Sequence, residues 1–370
     1  MPIAFAKLIA GLDITSPFVG AWELERRRGR PYKARLGANE CLFGASPAAM
    51  AVLTARGPET ALYCDPTHTE LRDAIALAFG LSRRHVVVAE GIEGLLGLFT
   101  RALLDPGDVA VTSQGGYPSF DFYVRGCGGK LVHIPYLSSG KNDLEGLIDA
   151  ARRHRAKLVY LANPDNPTGS NIGSQDLRRA LDRLPGETLL LLDEAYAELA
   201  APDEQLPKDE IRPGLVRLRT FSKIYGLAGA RVGYAVADPA ILGPLERIRQ
   251  HFAVSKLSQE MALAAIEDHE FVESVLAQTA QGREHYAAIA ARIGAKTLPS
   301  SASFVAFDFG DAERAKLVAG WLEDHDIFVR RVPDPPLDRL VRITVGPPEA
   351  RAYLTEVLIR AAEAAERAGK

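Results

Sequence analysis

The sequence predicts an α/β protein: a large domain with a mostly parallel sheet between helices, joined to a small α+β domain. Three observations predict it. Short β-branched or Leu-rich runs alternate with longer amphipathic segments through the first two thirds of the chain. Two of those runs, residues 158–161 and 189–192, are apolar at every position, as strands buried on both faces of a parallel sheet must be. Beyond residue 240 the texture changes to long helical patterns and then to short strands mixed with helices.

In chain order, residues 86–88 are three valines and read as a strand, followed by a helix over 92–104. Asp105-Pro106-Gly107-Asp108 is a turn. Residues 109–111 and 131–135 are the next strands, then the apolar runs at 158–161 and 189–192, then 215–218 and 232–236. Residues 244–281 read as largely helical. The remainder predicts strands at 304–309, 327–330 and 340–345, a helix over 312–325 and a last helix from Pro348. Asp334-Pro335-Pro336-Leu337-Asp338 reads as a surface loop between two strands.

Composition narrows the function. The 370 residues are 47% hydrophobic and 25% charged, enough apolar material for a packed core, which excludes a disordered chain. Lys and Arg total 44 against 47 acidic residues, so the basic surplus of a general nucleic-acid binder is missing. The three cysteines, Cys41, Cys64 and Cys127, form no C-x-x-C pair and predict neither a disulfide scaffold nor a zinc site. The histidines include no H-E-x-x-H, and no metal is expected. Lys7 interrupts the first apolar run and no basic region precedes it, so no signal peptide is expected. No run approaches the roughly 18 residues of a membrane span. The expected location is the cytoplasm, with no membrane partner.

Chemistry concentrates in three motifs. Ser222-Lys223 ends a strand and enters the Gly-rich turn Gly226-Leu227-Ala228-Gly229, with Arg231 eight positions after the lysine. Asn163-Pro164-Asp165-Asn166-Pro167-Thr168-Gly169 follows one apolar strand, and Asp193-Glu194-Ala195-Tyr196 follows another. Dinucleotide and nucleotide folds do not account for them. Gly91, Gly94 and Gly97 have the wrong spacing for G-x-G-x-x-G, Gly129-Lys130 and Gly140-Lys141 are not P-loops, and no G-x-S-x-G elbow occurs.

In order and approximate spacing these motifs resemble the pyridoxal-phosphate-dependent aminotransferases of fold type I, most closely the histidinol-phosphate aminotransferase branch, over nearly the whole chain. The resemblance implies pyridoxal 5'-phosphate as cofactor and a role for each matching residue. Lys223 would form the covalent link to the cofactor aldehyde and move the proton. Asp193 would keep the ring nitrogen protonated, and Asn166 and Tyr196 would face the phenolic oxygen. Ser222, Arg231 and the helix start at Gly91-Ile92-Glu93 would hold the phosphate. Tyr117, in Gly115-Gly116-Tyr117-Pro118, would stack on the ring. Tyr63, in Tyr63-Cys64-Asp65-Pro66, matches a tyrosine that reaches the neighbouring subunit's cofactor, which implies a homodimer with shared active sites. Arg330 and Arg342 match positions that bind the substrate's anion, where the guanidinium fork suits a carboxylate or phosphate. Asn39, Glu40 and Phe18 fall at the substrate pocket.

The chain departs from the family in places. Ile92-Glu93 stands for Ser-Asp, so one hydroxyl contact to the phosphate is lost. Phe18 lacks the hydroxyl of the family's tyrosine, and Cys41-Leu42 stands for Asn-Pro. The resemblance also divides the chain: 1–35 joining the small domain, 36–245 binding the cofactor, and 246–370 forming the small domain. It implies a transaminase acting between an amino acid or amino-alcohol phosphate and a 2-oxo acid such as 2-oxoglutarate. The alternatives are an aromatic or other amino-acid aminotransferase, or an amino-acid-phosphate decarboxylase on the same fold.

Overall fold

The computed structural model describes residues 3–12 and 16–368. The first strand, β1 (Ala34–Arg35), joins a peripheral pair discussed below. The next seven build one sheet: β2 (Val86–Ala89), β3 (Val109–Ser113), β4 (Lys130–Ile134), β5 (Leu158–Ala162), β6 (Leu189–Asp193), β7 (Leu215–Thr220) and β8 (Gly233–Ala237). Their spatial order is β2-β8-β7-β6-β5-β3-β4. Only β8 runs against its neighbours; the others are parallel in direction. The predicted strands are all present, displaced by a residue or two at their ends.

Helices cover both faces, as the apolar runs require. Alternate residues of one strand serve opposite cores. Leu191 packs with Leu95, Phe99 and Phe120 of the helices Gly91–Leu103 and Pro118–Gly126. Leu190 and Leu192 pack with Leu147 and Leu177 of the helices Leu144–His154 and Ser174–Arg183. A third cluster joins Val86, Val88 and Tyr234 to Ala49, Ile75, Met261 and Ala262. The helix Lys256–Ile266 therefore packs beside Pro47–Arg56 and Thr69–Ala78 on the large sheet. Among the described residues no helix is long and apolar enough to cross a membrane.

The last third completes a second core. β9 (Lys296–Thr297), β10 (Phe304–Asp308), β12 (Arg330–Arg331) and β13 (Leu340–Thr344) form an antiparallel sheet in the order β12-β13-β10-β9. Phe307, Val341 and Ile343 pack against Tyr286, Val318 and Leu354 of the flanking helices. Three expectations need correction. Residues 327–330 are not one strand: β11 (Ile327–Phe328) pairs in parallel with β1, while β12 pairs with β13. Val329 is the switch between two sheets, a feature that a continuous β-like run conceals. Residues 334–338 are not a simple surface loop either. Leu337 is fully buried, with Tyr136 and Leu340. The helical region predicted to end at 281 continues as one helix, His269–Arg292.

Gly226 anchors the turn after β7. Its φ is +70°, and a Cβ there would overlap the Gly44 carbonyl oxygen. Gly229, in the same turn, faces open space. Gly226→Ala is expected to lower stability by about 1–3 kcal/mol, from backbone strain plus overpacking. Gly229→Ala should stay within about 0.5 kcal/mol of the parent. Urea unfolding of both checks this; equal effects would refute the close approach.

Candidate active site

Strand direction gathers the site. The carboxyl ends of β2, β3, β5, β6 and β7 and the amino end of β8 open on one edge of the sheet, where α/β proteins bind their ligands. Gly91 follows β2 with φ +79° and starts a helix. A Cβ on Gly91 would sit 2.6 Å from Arg231 Nη2, and one on Gly233 would sit 2.6 Å from the Gly91 carbonyl carbon. Both positions need glycine for this approach. Arg231, itself at φ +54°, donates to the Ala228 carbonyl (2.9 Å), Ser222 Oγ (3.4 Å) and the Glu90 carbonyl (3.5 Å). Guanidinium, hydroxyl and helix N-terminus thus converge, a donor set suited to an anion. Glu93 Oε1 accepts from Ser119 Oγ at 3.1 Å.

Asp193 is the last residue of β6 and is almost fully buried. Tyr160 OH donates to its Oδ2 (2.6 Å), and the Ala195 amide donates to its Oδ1 (3.0 Å). Burial pushes its carboxyl up to about 6 against an ordinary 3.8; the Tyr160 and Ala195 bonds and the Lys223 charge pull the other way. Sequence reasoning missed Tyr160. The register pairs it with Leu191, two residues before Asp193 on the same strand face, so a tyrosine there reaches Asp193 diagonally.

Lys223 follows β7, and its Nζ donates to the Asn39 carbonyl at 2.9 Å. Burial first, then the Arg342 charge, lower its amine to about 8 against an ordinary 10.5. Asn39, at φ +56°, is a hub. Its Nδ2 donates to Tyr196 OH (3.0 Å), and its Oδ1 accepts from Thr344 Oγ1 (2.9 Å). One residue thereby ties Lys223, Tyr196 and β13 together. Arg342 donates through Nη2 to the Gly37 carbonyl (2.6 Å) and through Nη1 to Asn166 Oδ1. Its buried Nε has no partner among the described residues. The neighbouring Asp165, also missed, is a structural hub. It accepts from Tyr136 OH (3.0 Å), Asn142 Nδ2 (2.9 Å) and the Thr168 hydroxyl (2.7 Å), which fixes the loop bearing Asn166.

The sheet register places Arg330 of β12 directly opposite Arg342 of β13. Like charges facing each other across a sheet are destabilising unless an anion lies between them. Both line a cavity of about 890 Å³ with Asn39, Tyr117 and Lys223. A second cavity of about 320 Å³ is lined by Ile92, Glu93, Asp193, Ser222 and Arg231. Phe18, Tyr117, Asn166, Tyr196 and Lys223 line both, so the two are parts of one cleft. Sequence reasoning also missed Asp121, His133 and Asp334 on its wall. Tyr63 is the exception among the expected site residues. It lies outside its own chain's cleft, 85% exposed, with its ring centroid 5.2 Å from that of Phe252.

The profile of the family "Aminotransferase class I and II" matches residues 32–358. The chain belongs to the class I and II aminotransferase family. It is a transaminase. A curated histidinol-phosphate aminotransferase from Roseiflexus castenholzii is 36% identical over 359 residues, covering 95% of this aminotransferase and 96% of the relative. One from Symbiobacterium thermophilum is 35% identical over 337 residues, 91% and 92% of the two chains. The crystal structure of histidinol-phosphate aminotransferase from Sinorhizobium meliloti in complex with pyridoxal-5'-phosphate superposes with a TM-score of 0.94 at 40% identity, over 97% of this chain and 98% of that one. The Thermus thermophilus aspartate aminotransferase, at 21% identity and TM-score 0.81, shares the fold. The aminotransferase thus has the mostly parallel α/β architecture of fold type I.

The two buried groups set a pH dependence for the cofactor-free aminotransferase. Asp193's folded value, about 6, lies above its ordinary 3.8, so its contribution favours the fold at low pH and is lost as pH rises through 6. Lys223's folded value, about 8, lies below 10.5, so its contribution is lost as pH falls through 8. Between these values both charges oppose folding. Asp193→Asn is therefore expected to stabilise the cofactor-free protein more at pH 7.5 than at pH 4, by about 1–3 kcal/mol. Urea titrations at both pH values measure it; the same effect at each pH would refute the burial account.

Proposed function

We propose that this aminotransferase uses pyridoxal 5'-phosphate to move an amino group from a histidinol-phosphate-like amino-alcohol phosphate, or an amino acid, to a 2-oxo acid such as 2-oxoglutarate, as a biosynthetic enzyme of the cytoplasm. The observation that carries the reading is the Arg330–Arg342 pair at the cleft end away from Arg231, with Lys223 between them in the lining. It supports two anionic ligand ends on either side of one amine.

The residues fit the cofactor. The close approach of Gly91 to Arg231 leaves a donor-lined cradle that a Cβ would fill, and Ser222 and the first helical amides complete a phosphate site. Ile92 and Glu93 lend this cradle backbone amides only: Ile92 has no hydroxyl, and Glu93 is engaged by Ser119. Asp193 would serve the ring nitrogen, Asn166 and Tyr196 the phenolic oxygen, and Tyr117 the ring face. Lys223 would hold the aldehyde carbon. When bound, the cofactor supplies an electron sink for the charge left at the substrate α-carbon.

The chain's own groups then divide the work. Once the incoming substrate amine has displaced it from its covalent link, the freed Lys223 Nζ, its amine lowered to about 8, would accept the α-proton as a base and return it as an acid. The Asp193 carboxylate, oriented by Tyr160 and the Ala195 amide, holds a proton on the group it faces. Arg342 and Arg330 bind the substrate anion, and the unpartnered Arg342 Nε adds a donor. Asn39 positions Lys223 and Tyr196, while Phe18 lends the cleft wall an apolar ring.

Tyr63 supports a homodimer with shared active sites. An exposed tyrosine beside exposed Phe252 has no use in its own cleft, and its loop is pinned by bonds from Arg249 Nη2 to the Pro66 carbonyl (2.7 Å) and from Gln259 Nε2 to the Asp65 carbonyl (3.2 Å). Sedimentation at micromolar concentration should show a dimer; a monomer with full activity removes Tyr63 from the site.

Lys223→Ala is expected to abolish the visible absorbance that the cofactor gains on the parent protein and to lower turnover by about 10²–10⁴-fold. Retained turnover would defeat the assignment. A donor panel of histidinol phosphate, aromatic and small aliphatic amino acids with 2-oxoglutarate reads the substrate. Activity confined to donors without a phosphate would exclude the histidinol-phosphate type.

A further inference from the structure

The reverse face of the sheet, directly behind Asp193 and Lys223, carries a buried ionic network. Glu194 follows Asp193, and strand alternation turns its side chain to the opposite face. It is 4% exposed. Its Oε2 accepts from Arg217 Nε (3.0 Å) and Arg219 Nε (2.8 Å), and its Oε1 accepts from Arg217 Nη2 (3.1 Å). Arg219 Nη1 also donates to Glu198 Oε1 at 3.0 Å. Arg217 and Arg219 lie two residues apart on β7, both essentially buried, with the Phe79 ring within 6 Å of each guanidinium carbon.

Stability alone is a poor account of this arrangement. Burying ion pairs costs several kcal/mol per ion in desolvation, and well-packed apolar replacements of such groups are often neutral or stabilising. Geometry offers a better one. The β6–β7 ladder ends with Asp193 opposite Leu218, followed by a single bond from the Glu194 amide to the Leu218 carbonyl (2.8 Å). Past that point β7 runs on through Arg219 and Thr220 toward Lys223 with only β8 beside it. The Glu194 carboxylate extends the grip of β6 to Arg219, where the backbone ladder has stopped.

We propose that Glu194, through Arg217 and Arg219, is a positioning residue that sets the placement of Asp193 relative to Lys223 from behind the sheet. Glu194 touches neither substrate nor cofactor. It bridges the ends of the two strands that present the acid and the amine, so that neither can drift when protons move between groups in the cleft. The inference rests on the cofactor reading above.

The test uses the full-length, cofactor-loaded protein. Glu194→Gln keeps the shape but loses the charge, and a triple variant, Glu194→Met with Arg217→Leu and Arg219→Met, replaces the network with apolar side chains. For each, the pH midpoint of the cofactor's visible absorbance change is measured, together with kcat, KM and the urea midpoint. The expected result is a shift of one pH unit or more and a kcat loss of tenfold or more, with KM changed less than threefold, in whichever variant folds. The triple variant should show both effects even where its urea midpoint equals the parent's. Parent-like absorbance titration and kcat in a folded variant, whatever its urea midpoint, would overturn the clamp. Arg219→Lys, which keeps the charge but loses the fork, is the fallback if both fail to fold; parent-like titration and kcat there would also overturn it. A parent protein with no visible band on adding cofactor would fail the cofactor reading itself and take the clamp with it.

Discussion

The direction of the strands is the constraint on which the rest depends. Six strands of the large sheet point the same way and β8 alone runs back. Chain exits therefore gather at one edge, and residues 140 positions apart, such as Gly91 and Arg231, come into contact there. β8 matters most because it is reversed. An antiparallel strand brings its amino end to the edge where its neighbours finish. Arg231, just ahead of Gly233, thus meets the helix start that follows β2. The absence of a Cβ at Gly91 and Gly233 lets the chain close to that distance.

The same edge concentrates uncompensated electrostatics. Asp193 is held high and Lys223 low chiefly by burial, and Arg342 is lowered to about 10 for the same reason. Ordinary folding avoids such groups or pairs them. On the reverse face of the same strands, Glu194 and Glu198 together match the charges of Arg217 and Arg219. The two faces show the difference between a charge that is matched and one that is kept available. Perturbed groups collected in one cleft single it out as the candidate site.

Much of this was legible in the sequence because its signals are local. Continuous apolar runs announce buried parallel strands, and Ser222-Lys223, Asp193 and Asn166 sit at strand ends where the chain must emerge. What stayed hidden depends on register and on three-dimensional neighbours. Nothing in Ile327-Phe328-Val329-Arg330 says that two sheets share the run, yet that split brings Arg330 opposite Arg342. Tyr160 reads as one more apolar strand residue until pairing sets it diagonal to Asp193. Asp165 looks like turn chemistry inside a Pro-rich motif, although its four acceptor bonds order the loop that carries Asn166. Asn39 discloses its role only through φ +56° and contacts to residues more than 150 positions away.

The arginines facing one another on β12 and β13 have a consequence beyond recognition. A sheet that holds two like charges in register is incomplete by itself, and an anion seated between them finishes its electrostatics. Ligand binding between them and cohesion of the small sheet would then draw on a single free energy, so that whatever tightened one would tighten the other. In this sense an anion held there would be a structural member of the fold for as long as it stayed.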